Sequence, residues 1–344
     1  MKRIFPATRS GLDLGLGGAS LGNMYSAISD DAALALLSAA YADGCATFDT
    51  APHYGNGRSE QRLASLLATV PRENVTISTK VGRRLRADPK APKDFGAYVD
   101  VLPNVQYFDY SASGVRSCIE DSLARLGLQY IDVAYVHDCS VMTHGENAPA
   151  ILRQVVDEAI PELERLRAEG LVRYTGIAVS HWQTCVAILK RTHVDCLLLA
   201  GRYTLLDQSA LHELLPLCEA RSVKIALGGA FNSGILATGV SRSTEPLRFN
   251  YEAAPPDLVA RAGAIERICE NYGVPLRAAA LQLPLAHPAI EIVLAGVKSV
   301  SHWQDANEKM RHRIPPQFWQ ELRRQRLISE SIPTPSATSP ELLH

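Results

Sequence analysis

The sequence has no block of like charges and no long apolar run. Lys and Arg total 35 and Asp and Glu total 36, so the formal net charge is −1. A nucleic-acid-binding surface needs a concentration of positive charge, and these interspersed charges do not supply one. No run approaches the roughly 18 apolar residues of a membrane-spanning helix, and Pro6 and Arg9 interrupt the N-terminus before the apolar core of a signal peptide forms. We therefore expect a cytoplasmic protein with neither nucleic-acid nor membrane partners.

Paired cysteines and metal-ligand spacings are absent as well. The seven cysteines include no C-x-x-C pair, and no H-E-x-x-H sequence occurs. Most cysteines lie inside apolar runs, as Cys196 does in residues 195–199. An odd number of cysteines in apolar surroundings favours free, buried thiols in a reducing compartment over disulfides or zinc. The sequence therefore predicts no metal site.

Short apolar runs alternate with longer amphipathic segments along the chain. Eight of these runs are often β-branched, as strands buried on both faces should be, and each is followed by apolar residues at helical spacing. Parallel strands joined by helical crossovers close naturally at eight into a (β/α)8 TIM barrel, so we predict an α/β fold of this type. The predicted strands are 14–17, 46–49, 75–80, 131–137, 174–179, 196–200, 224–227 and 290–295.

The alternative fold is a doubly wound open sheet, which normally carries a Gly-rich phosphate turn before a helix. Residues 15–22 are Gly-rich, but no ordinary helix follows them directly. We therefore predict a single barrel domain over residues 1–328. Residues 83–109 form a long loop after the third strand, and such loops are functional or mobile. Residues 329–344 hold three prolines and four serines and are predicted to be a disordered tail.

Polar residues end several of the predicted strands, where the active sites of such barrels lie. Asp49 ends the second strand, Lys80 the third and His137 the fourth, and Tyr54 follows Asp49 in a turn. A buried Lys needs a counter-charge, which Asp49 can supply. An ammonium group lowers the pKa of a nearby phenol, which is otherwise near 10, and this makes Tyr54 a general acid/base.

Each of these residues also has a structural interpretation when taken singly. Asp49 could cap a strand or form an ion pair, Tyr54 could be a wall residue, and His137 could be an ordinary interior histidine. Lys80 is harder to explain in this way, because burial of its charge costs free energy. The conjunction of all four favours a catalytic set.

The chain resembles the aldo-keto reductases over about residues 10–328. The motifs that carry the resemblance are residues 48–55, 78–80 and 136–138, and the family's tetrad of Asp, Tyr, Lys and His falls on Asp49, Tyr54, Lys80 and His137. The resemblance implies an NAD- or NADP-dependent oxidoreductase whose barrel binds the dinucleotide without a Rossmann domain.

The resemblance also implies which residues contact the cofactor. The loop after the seventh barrel strand would wrap the pyrophosphate, the segment after the eighth would hold the adenosine phosphate, and Ser180 would meet the nicotinamide carboxamide. Lys298 either contacts a 2′-phosphate, which would admit NADP, or is a solvated lysine. The implied residues are Ser180, Gly228, Gly229, Phe231, Asn232, Ser233, Gly234, Gly296, Lys298, Ser299, Gln304 and Asn307.

Residues 20–25, 201–208 and 231–236 resemble the D-threo-aldose 1-dehydrogenase branch, which is similar to L-fucose, L-galactose and pyridoxal 4-dehydrogenases. Such enzymes oxidise a cyclic hemiacetal to a lactone. The resemblance implies that Tyr54 takes the proton of an aldopyranose C1 hydroxyl while the hydride passes to nicotinamide. Pyridoxal oxidation, general aldehyde reduction and a non-catalytic nicotinamide-sensing subunit are the alternatives. The implied partner is a small-molecule sugar, and the expected substrate contacts are Asn23, Met24, Tyr25, His53 and Asp138.

Overall fold

The computed structural model of the protein describes residues 3–244, 246–250 and 252–335. Its strands are β1 (Leu14–Gly17), β2 (Thr47–Asp49), β3 (Thr76–Val81), β4 (Arg83–Ala87), β5 (Asn104–Phe108), β6 (Ile131–His137), β7 (Val172–Val179), β8 (Cys196–Ala200), β9 (Lys224–Gly228), β10 (Arg248–Phe249), β11 (Glu252–Ala253) and β12 (Ile290–Gly296). Among these described strands, eight are parallel and close a barrel in the cyclic order β1–β2–β3–β6–β7–β8–β9–β12. The predicted TIM barrel is therefore confirmed, with every predicted strand in its place.

Helices cover the outside of the barrel and connect its strands. They are α1 (Asp30–Ala42), α2 (Arg58–Leu67), α3 (Ala112–Leu126), α4 (Val141–His144), α5 (Ala148–Gln154), α6 (Ile160–Ala168), α7 (Trp182–Leu189), α8 (Leu214–Ala220), α9 (Ile235–Thr238), α10 (Pro256–Tyr272), α11 (Leu276–Gln282), α12 (Val300–Arg311) and α13 (Pro316–Arg324). None of the helices in the described part of the chain is both long and apolar enough to cross a membrane.

The amino-terminal end of the barrel is closed by the N-terminal segment. Phe5, which is 1% exposed, packs into the barrel interior with Val133, Tyr135 and Ile292. Glu291 Oε2 accepts hydrogen bonds from the backbone N–H groups of residue 4 and Phe5, each at 2.9 Å. Because this end is filled, a ligand can enter the barrel only at the opposite end, where the carboxyl ends of the strands lie.

Residues 83–109 are more regular than the predicted loop. β4 and β5 pair antiparallel from Arg83 opposite Phe108 to Ala87 opposite Asn104. The sequence gives only a weak signal for this hairpin, because three of the five residues of β4 are arginines and so polar a segment favours a loop. The chain between the two strands returns to the barrel, where Tyr25 N donates to Ala97 O at 2.7 Å. The long insertion thus covers part of the carboxyl end of the barrel.

The ordered chain continues past residue 328. Ile332 is 1% exposed, and its carbonyl oxygen accepts a hydrogen bond from Arg323 at 2.8 Å. Residues 336–344 of the predicted tail lie outside the described residues. All seven cysteines lie within the described residues, and each is buried and free, as predicted.

Candidate active site

The structure brings the four predicted catalytic side chains together at the carboxyl end of the barrel. Asp49 is the last residue of β2, Lys80 lies next to the end of β3, and His137 ends β6. These three strands are neighbours in the barrel, so their ends meet at one edge. Tyr54 reaches the same place from the turn between β2 and α2.

Lys80 and Asp49 form a buried ion pair, with side-chain exposures of 1% and 4%. Lys80 Nζ donates to Asp49 Oδ1 at 3.0 Å, to Asp49 Oδ2 at 2.8 Å and to Thr50 O at 2.8 Å. Ser78 Oγ also donates to Asp49 Oδ1 at 2.7 Å. Burial lowers the pKa of Lys80, and the Asp49 carboxylate opposes this shift. The carboxylate therefore holds the ammonium group in position.

Tyr54 lies directly beside this ion pair. Lys80 Nζ is 4.6 Å from the centroid of the Tyr54 ring. The ring of His137 is 6.2 Å from that of Tyr54, at an interplanar angle of 86°. The positive charge of Lys80 stabilises the phenolate form of Tyr54 relative to the phenol, and this is what a tyrosine acid/base requires.

His137 is neutral in this setting. Burial lowers its pKa well below the usual value, against the opposing effect of the Asp138 carboxylate. Its Nε2 lies 3.5 Å from Asp138 Oδ2, which is paired with Arg83 NH2 at 2.7 Å. Burial alone would raise the pKa of Asp138, but the Arg83 guanidinium paired with its carboxylate opposes this effect, and the pKa lies below the usual value. A neutral imidazole can donate one hydrogen bond to an oxygen of a bound molecule.

A cavity of about 370 Å³ opens beside these side chains. Tyr54, Lys80 and His137 line it, together with Ser180 at the end of β7. The remaining wall comes from the insertion after β3 and from the ends of other barrel strands. These residues are Ala19, Met24, His53, Arg83, Gly96, Ala97, Tyr98, Asp138, Ala178, Val179, Leu198 and Ala200.

The predicted substrate contacts fall into two groups. Met24, His53 and Asp138 line the cavity, as expected of substrate contacts. Tyr25 is 45% exposed, and its ring lies 5.5 Å from the Arg248 guanidinium carbon.

Asn23 differs, because it is fully buried away from the cavity wall. Its Oδ1 accepts from Arg62 NH1 at 2.7 Å and from the backbone of Ile28 at 3.2 Å. The side chain of Asn23 therefore fixes the turn after β1, and its contact with substrate stays a prediction.

Among the wall residues that the sequence did not predict, Tyr98 and Arg83 have polar side chains. The Tyr98 ring stacks on Tyr54, with ring centroids 6.0 Å apart at 24°, and meets His53 edge-on at 5.1 Å. Arg83 brings a cation to the wall and pairs with Asp138. Arg83 lies only three positions after Lys80 in the sequence. This short distance from a predicted catalytic residue could have indicated that Arg83 lies at the site. Tyr98 carries no such signal, because the fold of the insertion brings it to the site.

The predicted pyrophosphate loop forms a tight turn after β9. Gly229, Asn232, Ser233 and Gly234 all adopt positive φ angles, of 65°, 45°, 58° and 102°. Asn232 Nδ2 donates to Gly201 O at 3.2 Å, while its Oδ1 is buried without a hydrogen-bond partner among the described residues. Gly228 ends β9 beside this turn, and Phe231 packs against the core.

The residues predicted after the eighth barrel strand follow β12 into α12. A Cβ added to Gly296 would meet no atom within 4 Å. Lys298 is exposed, and Ser299 caps α12 by accepting from His302 N. Gln304 is exposed on the same helix, whereas Asn307 is buried, with its side-chain oxygen bonded to Arg311.

The matches to known proteins agree with this geometry. The model of the aldo/keto reductase family matches residues 13–326. This chain belongs to the aldo/keto reductase family. Like other aldo/keto reductases, it is an oxidoreductase that uses NAD(P).

This aldo/keto reductase is similar to two dehydrogenases in sequence and to a solved aldo-keto reductase in fold. The chain is 41% identical to pyridoxal 4-dehydrogenase of Microbacterium luteolum, over 92% of this chain and 94% of that protein. It is 38% identical to D-threo-aldose 1-dehydrogenase of a Pseudomonas species, over 94% and 95%. The fold matches that of an aldo-keto reductase from Bacillus halodurans in its holo form, with a TM-score of 0.71, 22% identity and 98% coverage of both chains.

The residues of this aldo/keto reductase fit a dinucleotide. The buried, unpartnered Asn232 Oδ1 offers an acceptor, and open space lies beside Gly234 and Gly296. The small residues of the turn after β9 permit a phosphate group to approach the backbone closely. The turn after β9 and the start of α12 would therefore hold the phosphates, with Ser180 on the cavity wall near the reacting end. Among the described residues, no group of three or more His, Cys, Asp or Glu could hold a metal ion.

Proposed function

We propose that this protein oxidises the C1 hydroxyl of a cyclic hemiacetal, an aldopyranose, to the lactone with NAD(P)+. The observation that carries the proposal is the placement of Tyr54 beside a buried ammonium–carboxylate pair, on the wall of a cavity that is lined in part by polar side chains. A lactone forms when the C1 hydroxyl loses its proton and C1 loses a hydride. The protein must supply a proton acceptor next to the site of hydride loss.

Tyr54 is the proton acceptor in this proposal. Its phenolate takes the proton from the C1 hydroxyl, and the nearby Lys80 charge lowers the cost of forming that phenolate. Asp49 binds Lys80 through both carboxylate oxygens, so the charge stays beside the ring. When bound, NAD(P)+ supplies the hydride acceptor.

His137 orients the reacting oxygen. Its lowered pKa keeps the imidazole neutral at neutral pH, so that it can donate to the C1 oxygen without adding a positive charge. Its ring lies 6.2 Å from that of Tyr54, and both side chains line the same cavity. Such positioning of reacting groups accounts for a large part of catalysis in general.

The polar part of the wall supports a sugar as substrate. His53, Arg83 and Asp138 place hydrogen-bond acceptors and donors on the cavity wall, which also includes apolar Met24 and Leu198. Hydroxyl groups of a sugar can form further hydrogen bonds with these groups, whereas an apolar aldehyde cannot use them. The 38% identity to D-threo-aldose 1-dehydrogenase supports the same substrate class.

Pyridoxal, as its internal hemiacetal, is the second candidate substrate. The favouring observation is Tyr98, an aromatic ring on the cavity wall against which a pyridine ring can stack. The 41% identity to pyridoxal 4-dehydrogenase supports it. The chemistry required of Tyr54, Lys80 and His137 is the same for both candidates.

A substrate panel tests the proposal. L-fucose, D-arabinose, L-galactose and pyridoxal are each offered with NAD+ and with NADP+, and reduced nicotinamide is followed by absorbance. We expect turnover with at least one sugar and a lactone as the product in mass spectrometry. Turnover with pyridoxal alone would select the second candidate. Absence of reduction with all four would contradict hemiacetal oxidation.

Tyr54→Phe tests the role of the phenol with the best substrate of that panel. Removal of the acid/base is expected to lower kcat by at least about 100-fold while leaving the circular dichroism spectrum unchanged. Tyr272→Phe is the matched control, because Tyr272 is an exposed tyrosine on α10. Full turnover by a folded Tyr54→Phe variant would exclude Tyr54 as the proton acceptor.

A further inference from the structure

A chain of hydrogen bonds leads from two backbone carbonyls toward the imidazole of His53. Asn56 Nδ2 donates to Asn104 O at 2.6 Å and to Leu102 O at 3.4 Å. A carbonyl oxygen only accepts, so the nitrogen of this side-chain amide has to face these two carbonyls. Asn56 Oδ1 therefore faces the other way, toward Gln106.

The Asn56 oxygen in turn fixes the amide of Gln106. Gln106 Nε2 donates to Asn56 Oδ1 at 2.6 Å and to His53 O at 3.3 Å. On the other side, Arg83 NH1 donates to Gln106 Oε1 at 3.4 Å. If the Gln106 amide were turned over, its oxygen would face two acceptors, Asn56 Oδ1 and His53 O. Its NH2 group would then face the Arg83 guanidinium, which also only donates. Gln106 Oε1 is therefore the atom that faces His53.

The Gln106 oxygen determines which nitrogen of His53 carries the proton. His53 Nδ1 lies 2.9 Å from Gln106 Oε1, and this acceptor requires a proton on Nδ1. Burial first, and then the Arg83 charge, lower the pKa of His53 to about 4, against the opposing effects of the Gln106 hydrogen bond and of Asp138. A neutral ring with its proton on Nδ1 has Nε2 as an acceptor, and His53 lines the cavity.

We propose that Gln106 is a specificity-determining positioning residue, which holds His53 in the Nδ1–H tautomer so that Nε2 accepts a hydrogen bond from a substrate hydroxyl group. For its substrate, the inference rests on the proposed oxidation of a polyhydroxylated hemiacetal. Gln106 lies on β5 and Arg83 on β4, so the hairpin inserted after β3 controls the polar wall of the cavity. Gln106 itself does not line that cavity and acts through His53.

The ring-nitrogen chemical shifts of 15N-labelled histidine in the full-length protein test the tautomer. The chain has ten histidines, and a His53→Asn variant identifies the signals of His53. At neutral pH we expect a protonated Nδ1 in the wild type, and a mixture of tautomers in Gln106→Met, which keeps the side-chain length but removes the acceptor. Gln129→Met, at an exposed site, is the control. A proton on Nε2 in the wild type overturns the proposal.

Kinetics with D-arabinose and its 2-, 3- and 4-deoxy analogues test recognition. Loss of one neutral hydrogen bond is expected to raise the KM of Gln106→Met for D-arabinose by about 3- to 10-fold, with little change in kcat. For the analogue that lacks the recognised hydroxyl, the substitution is expected to leave KM unchanged. An equal rise with all four substrates, or no rise with D-arabinose, overturns the proposal.

The two measurements separate this inference from the proposed function. The tautomer of His53 is measured without turnover, so the role of Gln106 in fixing this tautomer is tested even if no sugar is oxidised. Absence of turnover, together with a protonated His53 Nδ1 in the wild-type protein, would reject the sugar as substrate but support the role of Gln106 in fixing the tautomer. Turnover, together with a protonated His53 Nε2 in the wild-type protein, would support the proposed function but reject the role of Gln106 in fixing the tautomer.

Discussion

Lys80 and Asp49 show at the level of single residues how stability and chemistry are connected. Both charges are buried, and each is satisfied mainly by the other, with Thr50 O and Ser78 Oγ completing the arrangement. A buried charge is costly unless its partner and hydrogen bonds are in place. The geometry that keeps the ammonium group beside Tyr54 is therefore also the geometry that makes its burial tolerable.

Removing either partner of this pair should destabilise the fold. Lys80→Met leaves the Asp49 carboxylate buried without its cation, and loss of one partner of a buried pair typically costs about 3–5 kcal/mol. We expect this decrease in the free energy of unfolding, measured in urea, and partial recovery in Lys80→Met combined with Asp49→Asn.

The exposed pair Lys190–Glu213, with exposures of 62% and 52%, is the matched control for that measurement. Lys190→Met should change the free energy of unfolding by less than about 1 kcal/mol, because exposed ion pairs contribute little. A similar small effect for Lys80→Met would show that the buried ion pair does not stabilise the barrel.

Single residues also show where prediction from sequence ends. Lys80 was predictable, because a lysine at the end of an apolar strand needs a counter-charge and a neighbouring strand end offered Asp49. The hydrogen-bonded amides Asn56 and Gln106 were not predictable. They come from separate segments, and each is compatible with an ordinary polar surface until the fold brings them to His53.

At the level of elements, two turns that meet at the carboxyl end of the barrel position Tyr54. A Cβ on Gly22, in the turn after β1, would lie 2.4 Å from the carbonyl carbon of Tyr54. Gly55 adopts a φ of 65°, and a Cβ there would lie 2.5 Å from Gly22 O. Only glycine permits this approach of two backbones. The turn after β1 therefore determines where the turn that carries Tyr54 lies at the carboxyl end of the barrel.

Gly22→Ala should lower activity more than stability. The added methyl group meets backbone, so the Tyr54 turn has to shift, and misplacement of a catalytic group by about 1 Å can cost about 100-fold in rate. We expect kcat to fall by about 10- to 100-fold, with an unchanged circular dichroism spectrum.

Gly263→Ala on α10 is the control for Gly22→Ala. A Cβ at Gly263 would have its nearest neighbour at 3.7 Å, an ordinary contact, and alanine favours a helix interior. This variant should keep full activity. Equal activity of the two variants would show that the close approach of the turns does not position Tyr54.

The elements also divide into those that the sequence predicts and those that it does not. Every barrel strand was predictable, because strands buried on both faces are short apolar runs. The hairpin β4–β5 was not, since Arg83, Arg84 and Arg86 make β4 mostly polar. Its pairing depends on contacts with the barrel, including Leu102 N to Gly55 O at 3.2 Å. Tertiary contacts rather than local pattern specify it.

For the whole molecule, the two ends of the barrel have different roles. The amino-terminal end is closed by Phe5 and the hydrogen bonds of Glu291, which makes it a structural end. The carboxyl end concentrates titratable groups in a buried setting, among them His53 and His137. Burial keeps both histidines neutral, and this has a consequence for the stability of the folded chain.

The free energy of unfolding should fall as the pH falls from about 6.5 to about 4. The pKa of His53 is about 4 in the folded chain, against 6.5 for an unperturbed histidine, and that of His137 also lies well below 6.5. In this window the unfolded chain binds more protons than the folded chain, so acid favours unfolding. His53 alone accounts for about 3 kcal/mol, at about 1.4 kcal/mol per unit of pKa.

Urea unfolding between about pH 8 and about pH 5 measures this slope. His53→Asn should flatten it, because one of the groups that takes up a proton on unfolding is gone. His302→Asn, at an exposed position on α12, is the matched control and should leave the slope as it is. Asp138, whose pKa lies below its usual value, loses its contribution only at lower pH and does not confound the window. A stability that does not change between about pH 7 and about pH 5 would mean that His53 is not held neutral, and the hydrogen-bond acceptor assigned to it would then be absent in acid.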